Sequence, residues 1–310
     1  MSSDTQLPPS SLIICSRNRP QLLRDTIDSL LEGQDVPSEL ILIDQSDTPN
    51  NDLMTLQTDR PCVIRYCWTH SRGLCRAKNE GIALAQYEVL AITDDDMIAP
   101  VEWYGALIGA LVRHGPQTVI TGRVLTTAPE ARGNFAPSLV LSEAPALYVG
   151  RIDTDVLASG NMAMYRDVVK HIGWFDERLG AGSIFPAADD NDFGFRLLAA
   201  GYQIAYAPEA MLYHRAWRTD DLYAPLRWSY GRGKGGYYAK HFQLRDTYML
   251  RRVIGDLGSR ILQLPSHIVR DRRRAVGDMY YIAGVCSGLT DWVRLARSRP
   301  AWVSQQPLDS

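Results

Sequence analysis

The chain has 310 residues, 45% hydrophobic and 22% charged, the composition of a soluble globular protein with room for one large domain or two ordinary ones. No apolar run approaches the ~20 residues of a membrane span, and five cysteines without CxxC spacing favour free thiols in a reducing compartment over a disulfide framework or a zinc site. The formal net charge of −2 conceals an uneven split: residues 1–220 hold 18 Lys+Arg against 28 Asp+Glu, and residues 221–310 hold 15 against 7, so the two parts suit different partners.

At the start, MSSDTQLPPSS lacks the basic-then-apolar pattern of a secretory leader, and the cytoplasm is the expected location. LIIC (12–15) reads as a buried strand. After SRNRP, Leu23, Ile27, Leu30 and Leu31 share one helical face, with Pro20 suited to the first turn and Gly33 to the stop. A strand at 39–43, a polar loop DQSDTPNND, a strand near 62–68, a helix over 74–86 and a strand at 88–93 follow. The strands are continuously apolar and alternate with helices, which predicts an α/β domain with a mostly parallel sheet covered on both faces. Next come a helix at 101–113, a strand at 118–125 and a stretch at 126–158 read mostly as loop. ASGNMAMYR (158–166) is a strand entering a short helix that ends near Gly173. NDFGFRLLAAG (191–201) is a helix, and QIAYAP and AMLYH are two short strands. From about 216 the pattern is helical and basic.

Ligands of open α/β sheets bind at the carboxyl ends of the strands. Three such ends here are polar: Ser16-Arg17-Asn18, Asp44-Gln45-Ser46 and Asp94-Asp95-Asp96. Consecutive carboxylates repel, by about 1 kcal/mol at 4 Å in water and more at lower dielectric. In an extended segment Asp94 and Asp96 project to the same side, and two hard oxygen donors there suit Mn²⁺ or Mg²⁺, which would offset that repulsion. A solvated, inert acidic loop is the alternative, and its place beside the other polar strand ends argues against it. Neither GxxxxGK[ST] nor GxGxxG is present, which disfavours P-loop and dinucleotide folds. A second acidic group, Asp189-Asp190 with Asp192, precedes or opens a helix, where a free N-terminus attracts carboxylates without any chemistry. Beside a metal–phosphate site, Asp190 is also suited to take a proton from an attacking hydroxyl.

The ordered set LIICSRNRP, LILIDQSD, GLCRAKNEGIA, ITDDDM, SGNMAMYR, GWFDERLG, DDNDFGFRLLAAGYQIAYAP and LYH resembles the family 2 glycosyltransferases, inverting enzymes of the GT-A fold, over roughly residues 11–215. The resemblance implies a catalytic domain at 1–215, with a nucleotide-binding half at about 11–97 and an acceptor half at about 98–215, followed by a mainly helical region at 216–310. It implies that Ser16 and Arg17 lie along the nucleotide, that Asp44 contacts base or ribose, and that Lys78, where the family often has Arg, meets the diphosphate. Asp94 and Asp96 match the ends of the DxD motif, the earlier aspartates (Asp94, Asp95) holding ribose or metal-bound water and Asp96 the Mn²⁺ or Mg²⁺. His214 matches a histidine that completes the metal shell in some relatives, or is a strand-end histidine with no such role. Asp190 matches the catalytic base, and Asp189 replaces the usual Glu, one methylene shorter toward an acceptor. Trp174 and Phe175 resemble acceptor-side residues, with core packing as the other reading. The QxxRW signature of processive synthases is missing, so one or a few sugar additions are expected.

The implied activity is inverting transfer from a nucleotide-diphosphate sugar to an acceptor hydroxyl of a glycan, a lipid-linked glycan or a small molecule. The rivals are an inactive sugar-nucleotide- or partner-binding domain, which needs only the first acidic group, and a nucleotidyltransferase, which should have a glycine in SRNRP. The basic segment 227–274 suits peripheral contact with an anionic membrane, at the inner membrane face. Alternatively its apolar face packs on the catalytic domain and its arginines are solvated or bind diphosphate. GRGKGG, with Lys234, could cradle phosphate as a loop, and an otherwise acidic chain argues against nucleic acid.

Overall fold

The structure is a computed structural model describing residues 7–128, 135–215, 217–244 and 246–298. In chain order the first elements are β1 (Ser10–Ser16), α1 (Pro20–Leu31), β2 (Glu39–Asp44), α2 (Asn51–Met54), β3 (Val63–Trp68), α3 (Leu74–Leu84), β4 (Val89–Asp94) and β5 (Met97–Ile98). They are followed by α4 (Trp103–His114), β6 (Thr118–Thr126), β7 (Ala146–Val149), β8 (Asn161–Tyr165), α5 (Asp167–Ile172), α6 (Asp189–Ala199) and β9 (Gln203–His214). The last three are α7 (Tyr223–His241), α8 (Tyr248–Arg270) and α9 (Arg272–Ser298). Two compact units result, one holding residues up to Ser183 with Asp189–Asp220, the other Ile184–Ala188 with residues from Asp221 onward.

The first unit is built on a mixed sheet in the order β3-β2-β1-β4-β8-β6-β9-β5, with β7 paired to β9. Its first four strands are parallel, as the unbroken apolar runs predict. Those runs exist because successive strand side chains face opposite sides and both sides are covered. Along β1, Leu12 and Ile14 enter one apolar cluster with Leu23, Ile27 and Leu30 of α1. Ile13 and Cys15 enter the other, with Ile82 of α3 and Phe193 of α6. Each fully buried Leu or Ile contributes ~1.5–3 kcal/mol, so β1 is fixed from both faces.

Three expectations change. The polar loop after β2 contains α2, a single turn whose Asn50 side chain accepts from the Asp52 and Leu53 amides. Residues 129–134 of the expected loop lie outside the described residues, and the remainder holds β7. The two strands expected on either side of Pro208 are one strand, β9. Between Ala207 and Met211 it bulges against adjacent Gly122 and Arg123 of β6, which accommodates a proline that cannot donate to the ladder. Gly122 is required there, since a Cβ would sit 2.1 Å from the Ala210 carbonyl oxygen.

In the second unit, GRGKGG is not a loop. It lies inside α7, where its amides belong to the helix, so the expected phosphate cradle is absent. Its glycines let α7 and α9 touch backbone to backbone. A Cβ on Gly231 would be 2.1 Å from the Tyr281 carbonyl oxygen, and one on Gly235 would be 2.2 Å from that of Val285. Lys234 is buried, with its ammonium over the Tyr237 and Tyr238 rings. Alanine in a helix interior normally gains ~1 kcal/mol over glycine, but overpacking against a rigid backbone costs ~1–3 kcal/mol. Gly235→Ala is therefore expected to lower the thermal midpoint. Gly255→Ala in α8, where a Cβ meets nothing within 4 Å, should hold or raise it in the same melt.

Candidate functional site

Strand register brings the polar ends together. Ser16 of β1 pairs with Asp44 of β2, and Cys15 with Asp94 of β4, so the ends form one row. The three consecutive aspartates are not equivalent. Asp95 is fully buried, accepts the Ser16 hydroxyl at 2.6 Å and lies 2.6 Å from Arg19 Nη2. The Thr26 hydroxyl also reaches the Asp95 carbonyl. Asp95 is therefore an anchor of the turn, and the expected donor contact moves off it. Asp96 accepts Arg19 Nη1 at 2.8 Å and faces His214 Nε2 at 3.3 Å, because β5 pairs Met97 with His214.

These partners divide the charge. Burial pushes Asp95 up to about 7 against the pull of Arg19. Burial likewise raises Asp94 against the pull of Lys78. Burial acts on Asp96 too, but the His214 hydrogen bond and the charges of His214 and Arg19 outweigh it and hold its carboxyl below the usual range. His214 is held above its ordinary value, since Asp96 outweighs the burial that opposes protonation. Burial thus raises two of the three carboxyls, while Arg19 pairs with both Asp95 and Asp96 and His214 adds to the pairing of Asp96.

The second acidic group sits in the first turn of α6, not before the helix. Lys78 of α3 donates to Asp189 at 3.0 Å and to the Ser159 hydroxyl at 2.5 Å, and Ser159 in turn donates to Asp190 Oδ1. At 1% exposure Lys78 presents no surface to a ligand, and the expected diphosphate contact moves off it. Burial pushes Asp190 up to about 7, with the Asp189 charge adding to it and Lys78 and Ser159 opposing, while the residue as a whole is only half-buried. Next in the chain, a Cβ on Gly160 would lie 2.2 Å from Asp94 Oδ2. The Ser159-Gly160 turn therefore touches both acidic groups, one through each residue.

Asp192 is fully buried and paired with Arg196 at 3.0 Å, which accounts for it structurally. Phe175 is 2% exposed and stacks on Phe193 at 4.1 Å, so it belongs to the core rather than to an acceptor surface. Trp174 beside it is 38% exposed.

Beside the strand ends opens a cleft of about 560 Å³ lined by Ser16, Asn18, Asp44, Ser46, Asn50 and Asp52, among others. Tyr66 fixes Asp44 by donating to Oδ2 at 2.7 Å, and the Ser46 amide donates to Oδ1 at 2.9 Å. Arg17 is exposed, 3.9 Å from Asp47. Among the described residues no three His, Cys, Asp or Glu side chains form a ready-made metal cage. Asp96 and His214, 3.3 Å apart, would be two adjacent donors once the imidazole gives up its proton, which fits a Mn²⁺ or Mg²⁺ that displaces that proton and completes its shell with phosphate and water oxygens. Arg19, Ser159 and Gly160 were not singled out from the sequence. The one available signal was their place within SRNRP and SGN, since their partners lie dozens of residues away.

A sequence profile described as "Glycosyl transferase family 2" matches residues 11–173. The chain is 24% identical over 240 residues to the chondroitin synthase of Pasteurella multocida (strain Pm70), which covers 66% of this chain but only 24% of that protein. It is 22% identical over 221 residues to the glucosyl-dolichyl phosphate glucuronosyltransferase of Haloferax volcanii, covering 68% of this chain and 71% of that one. The solved structure of mannosyltransferase PcManGT from Pyrobaculum calidifontis, in complex with GDP-Man and Mn²⁺, matches with a TM-score of 0.60 at 16% identity, over 93% of this chain and 88% of that one. At that identity the likeness is one of fold, the GT-A arrangement.

Proposed function

The chain belongs to glycosyl transferase family 2, and from that premise we propose that it transfers a sugar from a nucleotide-diphosphate donor to an acceptor hydroxyl with inversion, using Asp190 as base. The observation that carries this reading is the convergence of the two acidic groups on the Ser159-Gly160 turn. The cleft beside Ser16 and Asp44 would take the nucleoside, with Asp44 toward base or ribose and Arg17 at its rim. Asp94 and Asp96 would face the diphosphate, and Asp96 with His214 would hold Mn²⁺ or Mg²⁺. When bound, that ion supplies positive charge against the departing diphosphate.

The acceptor oxygen forms its bond to the anomeric carbon as the bond from that carbon to the diphosphate oxygen breaks. The acceptor proton passes to the Asp190 carboxylate, and the nucleoside diphosphate leaves with the bonding pair. One displacement inverts the anomeric centre. Lys78 and Ser159 hold Asp190 in place and favour its ionised form, since both act to lower its pKa. Trp174 and the shortened Asp189 are proposed on the acceptor side, although Asp189 is also the partner of Lys78.

Thermal melts with a panel of nucleoside diphosphates, each with and without Mn²⁺, test the donor half of this reading. A ligand at ~100 times its dissociation constant adds ~2.7 kcal/mol, a rise of several degrees. One nucleotide is expected to give a Mn²⁺-dependent rise that Asp96→Ala abolishes. No rise with any nucleotide would refute the donor assignment.

A further inference from the structure

Helix α8 leaves an apolar stripe exposed, which is unusual for a surface helix. A helix at a protein–water boundary buries its apolar stripe and shows its polar one. Here the inward side holds buried Met249 and several partnered charges, while the larger exposed apolar residues face away from it. Asp256 accepts the Tyr238 and Tyr281 hydroxyls at 2.9 and 2.8 Å and pairs with Arg260 at 3.0 Å. Arg260 and His267 both reach Asp278, at 3.0 and 2.8 Å. The outward side is apolar. Leu250, Ile254, Ile261 and Ile268 recur at helical spacing along one stripe, and Ile254 is 61% exposed. Leu262 and Val269, 82% and 84% exposed, widen the stripe.

The exposed charges in this part of the chain are mainly basic. Arg251 on the helix, Arg270 at its end and Arg272 and Arg274 just beyond are all exposed. Asp271 is the only acid between residues 257 and 277, and residues 221–310 contain no Glu. No described helix is long and apolar enough to cross a membrane. An exposed apolar stripe on a helix that carries exposed Arg251 and ends in a run of exposed arginines suits a helix lying in the surface of an anionic bilayer, with its apolar side among the acyl chains and the arginines drawn to the headgroups. A second copy of this chain would bring the same basic, Glu-free region to the interface and so no complementary charge. We infer that α8, with the arginines that open α9, is a peripheral docking surface for anionic lipid membrane. The inference does not depend on the transferase reading, because docking is measured without donor or acceptor.

The test is co-sedimentation of the full chain with vesicles of phosphatidylcholine alone and of phosphatidylcholine with phosphatidylglycerol. Binding is expected only with the anionic lipid and should weaken with salt. Ile254→Glu with Ile261→Glu should abolish it while leaving the melting midpoint unchanged, since both side chains are exposed. Arg272→Ala with Arg274→Ala should lower binding by about tenfold or more. Failure to bind anionic vesicles, or binding that survives the glutamate pair, overturns the inference. So does a solution dimer, seen by light scattering, that the glutamate pair dissolves without any vesicle binding. A lower midpoint in the glutamate variant would also overturn it, by placing those side chains in a packed core.

Discussion

Replacing Asp190 with asparagine is expected to lower turnover by about 10²–10⁴-fold, the usual worth of a positioned general base, with donor binding and fold retained. Asparagine keeps the shape and can still accept the Ser159 hydrogen bond, but it cannot take a proton at neutral pH. The wild-type pH profile carries the same information. Burial and the Asp189 charge raise Asp190 to about 7, so below that pH the base is increasingly protonated. The rate should then fall about tenfold per unit and level off above pH 7. The measurement is initial rate against pH for both forms, using the donor that the thermal melts identify. Near-normal turnover in Asp190→Asn, or a wild-type rate that does not fall below pH 7, would remove Asp190 from the role.

Much of this arrangement was legible from order and periodicity, because strand ends, helix starts and the acidic runs are local features. The unbroken apolar runs at 12–15, 39–43 and 88–93 predicted a buried parallel core, and β1, β2 and β4 form it. Long-range pairing was not legible. Nothing local in GLCRAKNEG shows that Lys78 turns inward to Asp189, 111 positions away, rather than outward to a phosphate. Likewise nothing in TDDDM shows that its middle aspartate is claimed by Ser16 and Arg19. The glycine-rich string GRGKGG has two physical uses, and nothing local chooses between them. Flexibility makes a loop, whereas absence of a side chain lets two helices touch, and only the facing backbone of α9 distinguishes them. Helix α8 has a strong 3.6-residue period whichever apolar stripe is buried. Periodicity reports that a helix has two faces but not which of them faces water.

The inward turn of Lys78 carries the largest expected stability effect. Its ammonium and the Asp189 carboxylate are 1% and 11% exposed and 3.0 Å apart. Removing one member of a buried pair leaves the other charge unpaired, at a cost of about 3–5 kcal/mol. Lys78→Met keeps the approximate length and apolar stem of the side chain and removes only the ammonium, which also lies over the Phe175 ring at 5.1 Å, so the loss measured in denaturant or thermal unfolding is chiefly electrostatic. Asp189→Asn in the same chain removes the stranded carboxylate. The double variant should therefore recover most of the loss, and the departure from additivity reports the pair itself. The site would report it as well. Lys78 is among the groups that lower Asp190, so without it Asp190 titrates higher and the rate–pH curve of Lys78→Met moves to higher pH. Binding of nucleotide with Mn²⁺ should stay near the wild-type level, because Lys78 has no surface toward the donor cleft. A variant that instead keeps its stability and its pH profile but loses nucleotide affinity would return Lys78 to the diphosphate, and the Lys78–Ser159–Asp190 chain would no longer explain how the base is held.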